Sequence, residues 1–154
     1  FSYSTHAAVV LVDPATGEVE IENYAVAEDC GTVVNPKIVD GQICGGVAQG
    51  IGTALFEEIP YDEYGQPLAS TFADYHWPGP TSLPAFRIAH MVTPAEGTEY
   101  GMKGMGEGGA IAPPAAVANA IRDALLSGGI DAAVAETPIT PRRLYTSIRA
   151  ATST

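Results

Sequence analysis

The chain is poor in basic residues. Seven Lys and Arg stand against 18 Asp and Glu in 154 residues, which gives a formal net charge of −11. Only Arg142 and Arg143 are adjacent. Binding to a nucleic-acid backbone depends on clustered cations, so this composition argues against a nucleic-acid partner. It argues equally against an anionic membrane surface.

Long apolar runs and a cysteine framework are also missing. No apolar stretch approaches the roughly 20 residues of a membrane-spanning helix. Cys30 and Cys44 are too few for a disulfide scaffold and, with no nearby His, too widely spaced for a zinc site. They predict two reduced thiols in a cytoplasmic protein. An iron–sulfur cluster held by this chain is excluded, because such clusters usually need four thiolates.

The first residues lack an initiator Met and the basic start of a signal peptide. We therefore expect Phe1 to be a position inside a longer polypeptide or the mature end of a processed one. A length of 154 residues predicts one domain, 1–154, with a core of its own. The content of 46% hydrophobic and 16% charged residues is typical of a globular protein.

The first 27 residues predict a β-hairpin. Residues Tyr3–Val12 alternate, Asp13–Gly17 has turn chemistry, and Glu18–Ala27 alternates again. Val19 and Ile21, followed by Tyr24 and Val26, are the expected core positions of the second strand. The acidic residues Glu18, Glu20 and Glu22 are expected to face water.

A long helix is predicted after the hairpin. Asn35 and Pro36 form an N-cap followed by proline at the first helical position, and the helix is expected to run to about Glu58, with Pro60 ending it. Five glycines lie inside it, each costing roughly 0.5–1 kcal/mol relative to Ala. Close packing against a second backbone and contact with a bound ligand both explain them. The apolar residues at helical spacing are Ile38, Val39, Ile43, Val47, Ile51 and Leu55.

Shorter elements follow. Two short strands are predicted, at Leu68–Phe72 and Phe86–Val92. A helix is expected from about Pro114 to Ser127–Gly129, which stops it, and a last short helix is expected after Thr140 as its cap. Strands separated by helices, with an N-terminal hairpin, predict an α+β fold with a layered mixed sheet, a long glycine-containing helix and C-terminal helices.

The segment Lys103–Gly109, KGMGEGG, is the strongest candidate site. Glu107 is its single acid–base side chain, and flanking glycines let a ligand come close. A desolvated pocket would raise the pKa of Glu107 toward the range of a general base. A plain surface glutamate is the alternative. The pattern Gly104-x-Gly106-x-x-Gly109 also matches a dinucleotide fingerprint, but the residues before it are loop-like, which argues against nucleotide binding.

Three ordered motifs resemble a known family. They are DCGTVVNPKIVDGQICGGVAQGIGTALFEE, YDEYGQPLASTFADYHWPGPTSLP and KGMGEGGAIAPPAAVANAIRDAL. Together they are similar to the C-terminal part of the molybdopterin-binding large subunit of the xanthine dehydrogenase family, which includes aldehyde oxidoreductases and aerobic carbon monoxide dehydrogenase. The resemblance covers nearly the whole chain and implies the molybdenum cofactor-binding fold.

The resemblance also implies residue roles. Glu107 stands where the family has the base that activates a molybdenum-bound hydroxyl. Gln49 matches a glutamine that lies against the pterin, and Gly46 and Gly50 allow the helix to approach that cofactor. Lys103, Gly104 and Gly106 would shape the backbone around the metal, and the chain itself supplies no metal ligand. The family loop often reads Gly-Glu-Ala-Gly-Thr-Ile-Gly-Ala-Pro; this chain differs by small-for-small changes and keeps the glutamate.

The implied function is the C-terminal part of a molybdenum hydroxylase, present as a fragment or as a separate small subunit, that oxidises an aldehyde, an N-heterocycle or a related small substrate. The upstream cofactor-contacting motif of the family is absent from this chain, so molybdenum–molybdopterin would be shared with the remainder of the large subunit. Iron–sulfur and flavin (FAD) groups are expected on other domains or subunits, and the isolated chain is expected to be inactive. The alternative is a non-catalytic structural or assembly module that keeps the fold without cofactor.

Overall fold

A computed structural model describes residues 1–153. Three strands form one sheet in the order β1-β2-β3, and three α-helices accompany it. β1 and β2 are antiparallel, whereas β2 and β3 are parallel, so the sheet is mixed and the α+β prediction is confirmed. The elements are β1 (Tyr3–Val12), β2 (Val19–Asp29), α1 (Pro36–Leu55), β3 (Phe86–Met91), α2 (Pro113–Ser127) and α3 (Pro141–Thr152).

The hairpin has the predicted turn and one irregularity. Asp13 N–H donates to the Glu18 carbonyl at 2.9 Å, and Gly17 has φ +77°, which favours glycine. Pairing shifts between Val9 and Val10, leaving Glu22 as an extra residue on β2. This bulge changes the alternation. Ile21 is buried before it and Tyr24 after it, so even-numbered positions beyond the bulge face the core.

Helix α1 begins as predicted and ends earlier. The Asn35 side chain accepts a hydrogen bond from Ile38 N–H at 3.3 Å, which confirms the cap. The prediction of an end near Glu58, set by Pro60, is wrong: the helix ends at Leu55. Phe56 and Glu57 N–H both donate to the Gly52 carbonyl, which closes the last turn before the proline is reached.

Two further expectations need correction. Ile38 is 63% exposed and does not face the core, unlike Ile43, Val47, Ile51 and Leu55. Residues Leu68–Phe72 do not form a strand, and both end residues are exposed. The Asp62 side chain instead accepts hydrogen bonds from the backbone of Tyr64 and Gln66, which folds residues 61–67 into a local turn.

The remaining elements match the predictions closely. β3 ends one residue earlier than expected, α2 starts one residue earlier, and α3 is capped by Thr140. β2, α1, α2 and α3 share one core. Its fully buried members include Tyr24, Val26, Ile43, Val47, Ile51, Val117, Ile121, Leu144 and Ile148. Across residues 1–153, no helix combines the length and the apolar character needed to cross a membrane.

Candidate functional site

The segment Lys103–Gly109 is held at its start by the end of β2. Met102 bridges Gly31 in antiparallel fashion, and Lys103 N–H donates to the Cys30 carbonyl at 2.9 Å. The Lys103 ammonium lies 3.0 Å from Asp29 Oδ1, and the two side chains are 6% and 0% exposed. It also lies 4.6 Å from the centre of the Tyr3 ring. The loop therefore starts from a buried ion pair.

The segment is held at its other end by α1. A Cβ atom at Gly109 would lie 2.5 Å from the Ile43 carbonyl oxygen, and one at Gly46 would lie 2.9 Å from the backbone of Gly109. Gln42 Nε2 donates to the Gly106 carbonyl at 3.3 Å. Helix and loop are thus in direct backbone contact at Gly109, which fixes the end of the loop that carries Glu107.

Substitution of Gly109 tests this contact. Gly109→Ala should lower the free energy of unfolding by about 1–3 kcal/mol, because the added methyl group meets the backbone of α1 rather than a flexible side chain. Gly104→Ala in the same loop meets nothing within 4 Å and should change stability by less than about 0.5 kcal/mol. Denaturant unfolding measures both. Equal effects would contradict the close packing.

An open cleft of about 580 Å³ lies beside the loop. Glu107 is on its rim and is exposed, so this chain alone does not provide the desolvation expected from the sequence. Added Cβ atoms at Gly104 and Gly106 would meet nothing, which leaves the backbone open to a ligand. The cleft is lined by Ser2, Tyr3, Ser4, Glu28, Gly104, Gly106, Glu107, Gly108, Ile111 and Ala112.

The other candidate residues lie on α1. Gln49 is exposed on the helix and is not among the residues that line this cleft. Gly46 contacts the loop backbone, and a Cβ at Gly50 would lie 2.7 Å from Pro113 Cγ. Packing against a second backbone therefore explains Gly46, and packing against Pro113 explains Gly50. Their contact with a cofactor stays a prediction.

Two acidic residues that the sequence analysis did not single out belong to this site. Asp29 closes β2 and anchors Lys103, and its neighbour Glu28 lines the cleft. Burial disfavours ionisation of Asp29, but hydrogen bonds from Thr93, Gly31 and Lys103 outweigh it and hold the pKa well below the usual range. Burial raises the pKa of Glu28. Asp29 opens the first motif of the family resemblance, but its residue type and spacing indicate no partner for it.

Two of the three histidines make side-chain contacts within the fold, and neither cysteine is in a disulfide. His6 Nδ1 lies 2.9 Å from the Tyr24 hydroxyl, and His90 Nε2 lies 2.7 Å from Asp40 Oδ1. Cys30 and Cys44 are both free thiols. Within residues 1–153, no three His, Cys, Asp or Glu side chains come together in an arrangement suited to a metal ion.

Known proteins are similar to this chain over nearly its whole length. The family described as the molybdopterin cofactor-binding domain matches residues 1–84. The large subunit of nicotine 6-hydroxylase from Paenarthrobacter nicotinovorans is 47% identical over 144 residues, covering 94% of this chain and 17% of that protein. The carbon monoxide dehydrogenase large chain from Hydrogenophaga pseudoflava is 31% identical over 149 residues, covering 97% of this chain and 18% of that protein.

A solved structure extends the likeness to the fold. Quinoline 2-oxidoreductase from Pseudomonas putida 86 is similar with a TM-score of 0.86 and 43% identity, covering 94% of this chain and 18% of that one. The chain spans less than a fifth of the length of these relatives. The match over residues 1–84 stops before β3 and the Glu107 loop, whereas the relatives match nearly the whole chain. The chain therefore belongs to the molybdopterin cofactor-binding domains of the xanthine dehydrogenase family.

Proposed function

We propose that the chain forms one wall of the molybdenum cofactor pocket of a larger hydroxylase and supplies its base, Glu107. The observation that carries this proposal is an exposed carboxylate on a loop that is fixed at both ends and opens onto a glycine-lined cleft. The remainder of the large subunit would complete the pocket. Iron–sulfur and flavin subunits would carry electrons away, and the assembled enzyme would work in the cytoplasm.

The residues present suit such a cofactor. Open space beside Gly104 and Gly106 lets a flat ring system reach the backbone, where a side chain would block it. Gln49 presents an exposed amide on α1 that can hydrogen-bond a pterin edge. When bound, the molybdenum cofactor would supply a two-electron acceptor and an activated oxygen for hydroxylation of the substrate.

Glu107 would act as a general base. Its carboxylate oxygen accepts a proton at the cleft, and the ion pair at Lys103 keeps the start of the loop in place while it does so. The missing wall would exclude water from Glu107, because the carboxylate is exposed in this chain. The base would then work in a drier environment than the one this chain alone provides.

The names of two relatives favour one substrate class. Nicotine and quinoline both contain an aromatic nitrogen heterocycle, and the proteins named for them are 47% and 43% identical to this chain. We therefore favour an N-heterocycle over an aldehyde. The full-length enzyme should contain molybdenum and pterin and should oxidise quinoline- or pyridine-type compounds faster than aldehydes. Absence of molybdenum and pterin from the assembled protein would favour the non-catalytic assembly module.

A glycine substitution separates cofactor binding from folding. In the full-length enzyme, Gly106→Leu should greatly reduce molybdenum and pterin content, because the side chain fills the open face of the cleft, while the protein still folds. Gly41→Leu is the matched control, since this exposed position on α1 is also open and lies away from the cleft. Metal analysis and pterin fluorescence measure the result. Normal cofactor content in Gly106→Leu would contradict the proposed cradle.

Nucleotide binding through Gly104–Gly109 has less support. The loop follows a short 3₁₀ turn, Glu99–Gly101, and not a β-strand, so the strand–loop–helix unit of a dinucleotide site is not formed here. Glu107 would also place a negative charge where a pyrophosphate belongs. Nucleotides are therefore not expected to raise the thermal unfolding midpoint of the protein.

A further inference from the structure

Glu28 is a buried acid that the proposed reaction does not use. It lies near the end of β2, on the same sheet face as Tyr24 and Val26, and only 1% of it is exposed. Its sheet neighbours are Ser4 on β1 and His90 on β3. A carboxyl group at such a depth is unusual unless something compensates its burial.

The carboxyl group presses against the turn that carries Glu107. A Cβ atom at Gly108 would lie 2.6 Å from Glu28 Oε1 and 3.1 Å from Oε2, so the Glu28 carboxyl group would have to shift to admit a side chain there. Neither oxygen has a hydrogen-bond partner of ordinary geometry among residues 1–153, although the Ser4 hydroxyl on β1 is near enough to offset part of the rise in the Glu28 pKa that burial causes. Ser4 Oγ lies at 3.5 Å from the Gly108 carbonyl oxygen, to which it can donate. Gly108 thus packs directly on the buried carboxyl group of Glu28.

The charged groups around Glu28 do not neutralise it. Asp29 is the next residue and repels a negative charge, while Lys103 is already paired with Asp29. His90 attracts a negative charge but bonds to Asp40 of α1. Glu107, in the loop above, adds a further acid, and His6 on β1 bonds to Ser4 and Tyr24. An ionised Glu28 would therefore be a buried charge without a cationic partner of its own, which is strongly unfavourable.

We propose that Glu28 is a positioning residue for Glu107, whose uncharged carboxyl group seats the Gly108 turn and whose ionisation lifts that turn from the sheet. Lifting the turn admits water to the carboxylate and moves Glu107 with it, because the two loop residues are adjacent. The inference rests on the proposed function only for the role of Glu107. The inference that Glu28 holds the turn against the sheet depends only on the packing of Glu28 against Gly108.

The sign of the pH dependence follows from the burial. The closed turn holds the proton of Glu28 more tightly than the open turn, in which the group is hydrated. Closure is therefore fully favoured below glutamate's ordinary pKa of about 4.3 and weakens as pH rises. The opening equilibrium should increase about tenfold per pH unit until the raised pKa of the closed state is passed, where it levels off.

The test compares wild type with Glu28→Gln in the full-length enzyme. Peptide-resolved hydrogen exchange over residues 102–111 is measured between about pH 5 and 9. The opening equilibrium constant of wild type is divided by that of the variant at each pH, because this ratio cancels the intrinsic pH dependence of exchange. The ratio should rise with pH, because glutamine stays uncharged. Glu20→Gln, an exposed glutamate on the same strand, is the matched control and should give a flat ratio.

Turnover provides the second measurement. Over the interval in which the exchange ratio rises, kcat of wild type should fall relative to that of Glu28→Gln. A flat exchange ratio, or early loss of protection in Glu28→Gln at low pH, overturns the proposal. A rising exchange ratio with an unchanged kcat ratio overturns the role in positioning Glu107. Absence of turnover in wild type would instead count against the proposed function. The exchange measurement would then still decide whether Glu28 holds the Gly108 turn in place.

Discussion

Replacing Glu107 with glutamine should lower kcat of the assembled enzyme by roughly 10²–10⁴-fold, which is the usual contribution of a general base. Molybdenum and pterin content should stay close to normal, because the amide has the same shape and the carboxylate makes no hydrogen bond to another side chain in residues 1–153. Stability should change by less than about 0.5 kcal/mol, since the side chain is exposed.

The experiment measures turnover and metal content on the same preparation. Glu99→Gln is the matched control: this exposed glutamate lies just before the loop and does not line the cleft, so its loss should leave kcat unchanged. Retained turnover in Glu107→Gln would remove this residue from the chemistry. Loss of molybdenum together with turnover would instead assign Glu107 to cofactor retention.

The second large effect is expected at the buried ion pair. Asp29→Ala leaves the Lys103 ammonium without its partner in a site where only 6% of that side chain is exposed. Breaking such a pair typically costs about 3–5 kcal/mol of unfolding free energy. The loss should be smaller in Asp29→Ala combined with Lys103→Met, because no uncompensated charge is then buried.

The same pair gives a pH dependence of defined sign. The pKa of Asp29 is lower in the folded than in the unfolded chain, so its contribution to stability is present above the unfolded value of about 3.9 and is lost as pH falls below it. Urea unfolding from pH 7 down to pH 3 measures this. Asp131, which pairs with Arg122 at the surface, is the control, and Asp131→Ala should cost less than about 1 kcal/mol. Equal losses at both pairs would contradict the structural assignment.

Local chemistry made much of the fold predictable. The Asp13–Gly17 turn, the Asn35 cap and the Thr140 cap depend on residues within a few positions of one another, and each is found where it was expected. The end of α1 was not predictable from Pro60, because a hydrogen-bond arrangement at Gly52 closes the helix first. The predicted strand at Leu68–Phe72 has suitable residues, but within residues 1–153 no strand pairs with it.

The acidic residues of β2 show why part of the site was missed. Glu18, Glu20, Glu22 and Glu28 share the same parity, so simple alternation places all four on the wet face. The extra residue at Glu22 reverses the alternation, and Glu28 turns inward while the earlier three stay exposed. The expected core residues already change parity between Ile21 and Tyr24, but the bulge that carries this change on to Glu28 is set by pairing with β1. Glu107, by contrast, lies between two glycines, and this local pattern is enough to identify it as a candidate base.

The backbone contact between Gly46 and Gly109 has a consequence for how this protein tolerates sequence change. A side chain at Gly46 would meet the backbone of Gly109, and one at Gly109 would meet the backbone of Ile43 on the same helix, so either substitution has to open the same contact between helix and loop. Random diversification of Gly46 alone, or of Gly109 alone, would recover almost exclusively glycine. Directed evolution of the cleft should therefore leave these two positions fixed, together with the glycines proposed to face the cofactor, and place its diversity at Ile111, which lines the cleft and is 75% exposed.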